Sequence, residues 1–199
     1  IYIKTKYNIY FDPYKIEEEL NNADIIFITH RHPDHFSISD IKKVCNKKTM
    51  FVAPKSMASI LNKTFIDINK VRLCNPNMSF NVLDMNVYTT PAYNLNNNYH
   101  PQKENWVGYI IETNENRIYV AGDTDALVEN EELKCDIAFI PIGGKYTMDV
   151  EEAANFISKI RPRIVIPTHF KNQGSKSKII EKFCDFLKGK TEVKNILGE

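Results

Sequence analysis

Short apolar runs separated by turn signals recur along the chain, in two styles. Residues 25–29, 118–121, 137–141 and 164–167 are continuous apolar runs, the pattern of strands covered on both faces. Between 78 and 88, and again from 106 to 111, apolar and polar positions alternate more, which predicts strands with distinct inner and outer faces. Helical periodicity is rarer. It predicts a short acidic helix over 14–22, helices over 39–47 and 54–62, and a helix over 149–160 with Asp149 as N-cap and Glu152 three residues on. A last helix, over 177–188, sets Ile179, Ile180, Phe183 and Leu187 on one face. Strands and helices interleave around a hairpin-rich middle, so the expected class is α+β, layered sheets covered by helices.

Composition narrows this picture by exclusion. The 199 residues carry 26 basic and 25 acidic side chains, a balance unlike that of a general nucleic-acid or anionic-membrane binder. A hydrophobic share of 43% is enough to fill a core and excludes a disordered chain. No apolar stretch reaches the roughly 18 residues of a spanning helix. One domain over 1–199 is therefore expected, with no membrane segment and an oligomeric state that the sequence leaves open. The four cysteines, Cys45, Cys74, Cys135 and Cys184, form no C-x-x-C pair, so free thiols in a reducing, cytoplasmic setting are expected. The chain opens on Ile1 in what reads as the interior of a strand, as a fragment or a processed chain would.

The chemistry concentrates in Thr29-His30-Arg31-His32-Pro33-Asp34-His35, which holds three of the five histidines. The run follows a buried strand, so its side chains emerge where strand becomes loop. His30 and His32, two apart, point the same way on extended backbone, and Asp34 with His35 faces a second point. That spacing suits two divalent metal ions, and mixed imidazole and carboxylate donors suit zinc first, manganese or iron less exclusively. Asp123, in Ala121-Gly-Asp-Thr-Asp125, and His169, in Pro167-Thr-His169, also stand just past apolar runs. Strand ends gather at one rim of a sheet, so these groups are expected to converge. Asp125 reads either as a carboxylate holding a ligand imidazole in one tautomer or as a turn residue. Gly143 and Gly144, with Lys145 and Tyr146, read either as backbone N–H donors to an anionic substrate or as an ordinary loop.

These stretches resemble the metallo-β-lactamase superfamily, nearest its ascorbate-6-phosphate lactonase-like branch of metal-dependent hydrolases. The matching motifs are Phe11-Asp-Pro13, the histidine run, Thr90-Pro-Ala-Tyr-Asn94, Asn105-Trp-Val-Gly-Tyr109, Ala121-Gly-Asp-Thr-Asp125, Pro141-Ile-Gly-Gly144 and Ile166-Pro-Thr-His169. The resemblance implies an αβ/βα four-layer sandwich with a dinuclear site. It assigns His30 and His32 to one metal, Asp34, His35 and His169 to the other, and Asp123 to both. Two departures stand out. Where the family supplies a third histidine to the first metal, this chain has Tyr93-Asn94, and His100 follows six residues later. His100 is open as a metal ligand, a substrate contact or a loop cap, with Tyr93 or Asn94 as weaker oxygen donors. Part of the N-terminal hairpin before Phe11 is also expected to be absent, leaving an unpaired edge.

The expected activity is hydrolysis of an ester, lactone or phosphodiester bond in a small anionic substrate by a metal-bound hydroxide, with Asp34 orienting it and passing a proton to the leaving group. The alternatives are a nuclease or RNA-processing phosphodiesterase, against which the balanced charge argues, and a non-catalytic protein with a degraded first metal site. A redox di-iron protein of the same fold is a further alternative. It is disfavoured because such proteins prefer a carboxylate where His32 stands.

Overall fold

A computed structural model describes residues 1–170 and 176–196, and the chain divides between Asn75 and Pro76 into two units. In the first, β1 (Tyr2–Lys4), β2 (Asn8–Phe11), β3 (Ile25–Phe27), β4 (Met50–Pro54) and β5 (Val71–Cys74) lie side by side in chain order. β1 and β2 form an antiparallel hairpin, and the remaining pairings are parallel. Because β1 covers β2, this edge of the sheet falls on β1. Parallel neighbours need crossovers, supplied by α1 (Ile38–Val44) between β3 and β4 and by α2 (Ala58–Leu61) between β4 and β5. Ile41 and Val44 of α1 pack with Ile26, Met57 and Leu61 into one apolar cluster.

The helix expected over 14–22 is absent. Lys15 and Asn21 have left-handed backbones, with φ of 54° and 49°. The segment's donors go elsewhere: the N–H groups of Lys15 and Ile16 to the Asp40 carboxylate, those of Leu20 and Asn21 to the Lys43 carbonyl. Ile16 is its one half-buried aliphatic anchor, since Leu20 is exposed, so no apolar stripe rewards helix formation. The helix expected over 54–62 is shorter, because Pro54 ends β4 and a 3-10 turn (Lys55–Met57) precedes α2.

The second unit holds β6 (Ser79–Val82), β7 (Met85–Pro91), β8 (Val107–Glu112), β9 (Arg117–Val120), β10 (Ile137–Pro141), β11 (Ile164–Thr168) and β12 (Glu192–Val193), in spatial order β12-β11-β10-β9-β8-β7-β6. The alternating runs became β6, β7 and β8, paired antiparallel, and the continuous runs at 118–121, 137–141 and 164–167 became β9, β10 and β11, paired parallel to one another. α3 (Val150–Ile160) starts at a reciprocal capping box: Asp149 accepts from the Glu151 and Glu152 N–H groups, and Glu152 accepts from the Asp149 N–H. Such a cap contributes about 1 kcal/mol. Phe156, Ile157 and Ile160 of α3 bury against Tyr119, Ala138 and Ile140, together with Phe183 and Leu187 of α4 (Lys176–Leu187). The α+β expectation therefore holds: two mixed sheets, each with helices of its own. Among the described residues no helix is long and apolar enough to cross a membrane.

Candidate metal centre

In the first unit the histidine run begins two residues past β3. The N–H groups of His35 and Phe36 both donate to the His32 carbonyl, which curls the backbone into one turn before α1. Asp12, with φ of 45°, sits at the end of the neighbouring β2. Its Oδ1 accepts from the Thr29 N–H at 2.8 Å, while Oδ2 accepts from the Thr29 hydroxyl at 2.6 Å and lies 2.8 Å from His35 Nδ1.

These partners fix the tautomers. An ionised carboxylate only accepts, so His35 Nδ1 carries a proton and Nε2 carries the lone pair. The Thr29 hydroxyl, having given its hydrogen to Asp12, accepts from His30 Nδ1 at 2.9 Å. His30 Nε2 is then also a lone-pair nitrogen, and it lies 3.0 Å from His32 Nδ1. Asp34 Oδ2 stands 3.7 Å from His35 Nε2, on a side chain 43% exposed. Asp12 and Thr29 are the residues that sequence reasoning passed over. The Phe11-Asp-Pro13 motif was the available signal, but nothing in it says which histidine the carboxylate reaches.

The second unit carries the other candidate donors. β9, β10 and β11 are parallel and in register, Val120 beside Phe139 and Pro141 beside Thr168, so the segments after them leave the same end of the sheet. Asp123 follows β9 through Gly122, whose φ of 66° lets the chain turn. His169 follows β11 directly and is itself left-handed, with φ of 55°. Gly143, after β10, makes room for that bend: a Cβ on it would overlap the His169 carbonyl oxygen. Asp123 Oδ2 lies 3.1 Å from His169 Nε2 and 3.4 Å from His100 Nε2. Asp123 and His100 are buried.

The donor spacing fits a metal ion. Two donors held about 2.0–2.1 Å from a tetrahedral zinc stand about 3.3–3.4 Å apart. The imidazole pair at 3.0 Å and the carboxylate–imidazole pairs at 3.1 and 3.4 Å lie close to that spacing. A carboxylate oxygen with imidazole nitrogens this close is a donor set of the kind a divalent cation takes.

Of the three candidates for the place of the third histidine, Tyr93 is led away, its phenol donating to Glu129 at 2.8 Å. Burial, then the Glu129 hydrogen bond and charge, push that phenol up. The Asn94 side-chain oxygen is already engaged by His100. His100 is the one of the three beside Asp123. Among the described residues the Asp125 carboxylate touches no imidazole directly; it accepts from Asn94 Nδ2 and from the Leu95 N–H, both at 2.7 Å. Gly144 donates its N–H to the Met148 carbonyl. The Tyr146 ring packs edge-on against Tyr99 at 4.3 Å, and a hydrogen bond from Lys145 lowers its phenol below the usual tyrosine value.

The model of the β-lactamase superfamily domain matches residues 5–170. A metal-dependent hydrolase of Nanoarchaeum equitans is 31% identical over 181 residues, covering 84% of this chain and 78% of its own. The crystal structure of a candidate metal-dependent hydrolase from Parabacteroides distasonis aligns at a TM-score of 0.78 and 29% identity, over 94% of this chain and 84% of that one. A metallo hydrolase of Ignicoccus hospitalis, 20% identical, shares the fold at a TM-score of 0.76, over 98% of this chain and 90% of that one.

Proposed function

Because this chain belongs to the metallo-β-lactamase superfamily, we propose that it is a zinc-dependent hydrolase of ester, lactone or phosphodiester bonds in a small anionic substrate. At the coarser level it is a metal-dependent hydrolase of that fold. The observation that carries the reading is the carboxylate oxygen of buried Asp123, with two imidazole nitrogens at 3.1 and 3.4 Å. As metal ligands we assign His30, His32, Asp34 and His35 in the first unit and His100, Asp123 and His169 in the second. Bound there, the ions would supply an acidified water and polarise the oxygen under attack.

The protein's own groups do the rest. Asp12 and Thr29 hold His35 and His30 with their Nε2 lone pairs outward, before any ligand arrives. Asp34, exposed at 43% and 3.7 Å from His35 Nε2, is the carboxylate with room to hold a proton and hand it to a leaving group. Lys145 and Tyr146, with the Gly143-Gly144 loop before them, offer a cation and a phenol to an anionic substrate.

The test is metal content of the full chain purified without added metal, followed by a panel of ester, lactone and phosphodiester substrates. Two equivalents and turnover of one class are expected. Asp34→Ala should abolish turnover in a protein that still folds, and retained activity would refute its role.

A further inference from the structure

The loop that replaces the family's third histidine has its own internal logic. Asn94 and His100 close it like a clasp. The Asn94 N–H donates to the His100 carbonyl at 2.8 Å, and the Asn94 side-chain oxygen accepts from the His100 N–H at 3.1 Å. That same oxygen lies 2.8 Å from His100 Nδ1. The amide's orientation is settled from its other end. Asn94 Nδ2 contacts the Asp125 carboxylate at 2.7 Å and the Tyr146 carbonyl at 2.9 Å, groups that only accept. Nδ2 is therefore the donor, Oδ1 must accept, and the proton of the neutral imidazole lies on His100 Nδ1. The nitrogen facing Asp123 Oδ2 at 3.4 Å is consequently the one with the lone pair.

We propose that Asn94 is a positioning residue: it fixes His100 as an Nε2 donor toward Asp123, and Asp125 keeps Asn94 from turning over. The proposal rests on the reading of His100 as a metal ligand. It gives Asp125 the imidazole-orienting task expected of it, carried through an amide. An asparagine that ligated metal itself would need the oxygen that here receives two His100 N–H groups. An asparagine that merely filled a loop would not need a buried carboxamide bonded at every polar position.

The experiment uses the full chain and four variants, Asn94→Ala, Asn94→Asp, the double variant Asn94→Asp with Asp125→Asn, and His100→Ala. Three quantities are read: the ring-nitrogen NMR signature of His100 in metal-free protein, zinc affinity by chelator competition, and the melting temperature. Wild type should show the proton on Nδ1, and Asn94→Ala a mixture of tautomers. Zinc affinity should fall about 10- to 100-fold in Asn94→Ala, the usual effect of losing a group that orients a ligand. Asn94→Asp sets two carboxylates against each other and should do no better. The double variant restores a donor–acceptor contact with position 125, though not with the Tyr146 carbonyl, and should bind zinc more tightly than Asn94→Asp, which a role in loop folding alone does not predict. An unchanged tautomer, or wild-type affinity in Asn94→Ala while His100→Ala loses zinc, overturns the positioning role alone. Wild-type affinity in His100→Ala overturns the ligand reading beneath it. If Asn94→Ala does not fold, the double variant decides: folded with zinc binding no tighter than Asn94→Asp, it refutes the proposal.

Discussion

Replacing Asp12 by Asn is a sharp perturbation, because it changes charge and hydrogen-bond polarity while sparing shape. Asn accepts a left-handed backbone nearly as well as Asp, so the φ of 45° can persist. The side-chain oxygen can still accept the buried Thr29 N–H, now bonded at 2.8 Å. At the other position an NH2 group would face the Thr29 hydroxyl and His35 Nδ1, currently 2.6 and 2.8 Å from the carboxylate oxygen. Two hydrogen bonds to a charged acceptor are lost, at about 1.5–3 kcal/mol each. Rotation of the hydroxyl and a tautomer change at His35 recover part of this, so a net loss of about 2–3 kcal/mol is expected. That tautomer change puts the proton on His35 Nε2, and the Thr29 hydroxyl, turned round, pushes His30 the same way. Zinc affinity should therefore drop by about 10- to 100-fold. Urea unfolding of the metal-free protein gives the first quantity and chelator competition the second. Zinc affinity within twofold of wild type would refute the reasoning, whatever the stability change.

Three further outcomes follow from the geometry. Burial alone would raise the Asp40 carboxyl, but the Ser37 hydroxyl, the Ile16 and Lys15 N–H groups and Lys43 outweigh it and hold it below the usual carboxylate value. A depressed folded pKa gives stability that is present above the unfolded value, about 3.9, and lost as pH falls through the folded one. The stability gap between wild type and Asp40→Asn should therefore close as acid is added below about pH 4, and a gap that stays constant would contradict this. Gly143→Ala should cost about 1–3 kcal/mol from the clash with the His169 carbonyl and lower bound metal, read by thermal melting and metal analysis. Asp123→Asn should lose metal yet melt, when metal-free, no lower than wild type, since an amide can donate to an imidazole nitrogen beside it. A large drop in that melting temperature would give Asp123 a structural role.

Much of this was legible in the residues. Continuous apolar runs became β10 and β11 within a residue, and Asp149 with Glu152 became a capping box. Both patterns are local, decided within a few residues by periodicity and by orphan N–H groups. Asp12 was not legible, because its partners lie 17 and 23 positions away and only the pairing of β2 with β3 brings Thr29 alongside. The expected helix over 14–22 failed for the same reason: its N–H groups found Asp40 and Lys43, beyond any local window. His100 stayed ambiguous because its tautomer turns on which end of Asn94 faces it, and that orientation is set by Asp125 and Tyr146, in two other loops.

The shared direction of β9, β10 and β11 sorts their sheet into two rims with different tasks. The candidate ligands Asp123 and His169 leave one rim, and the strands enter from the other past Arg117, Lys134, Arg161 and Arg163. Between the rims runs β9, four residues long, or roughly 13 Å of extended chain. A dye, a cross-linker or a surface attachment at Lys134 would thus report on this protein from beyond reach of its chemistry, a handle already built into the strand order.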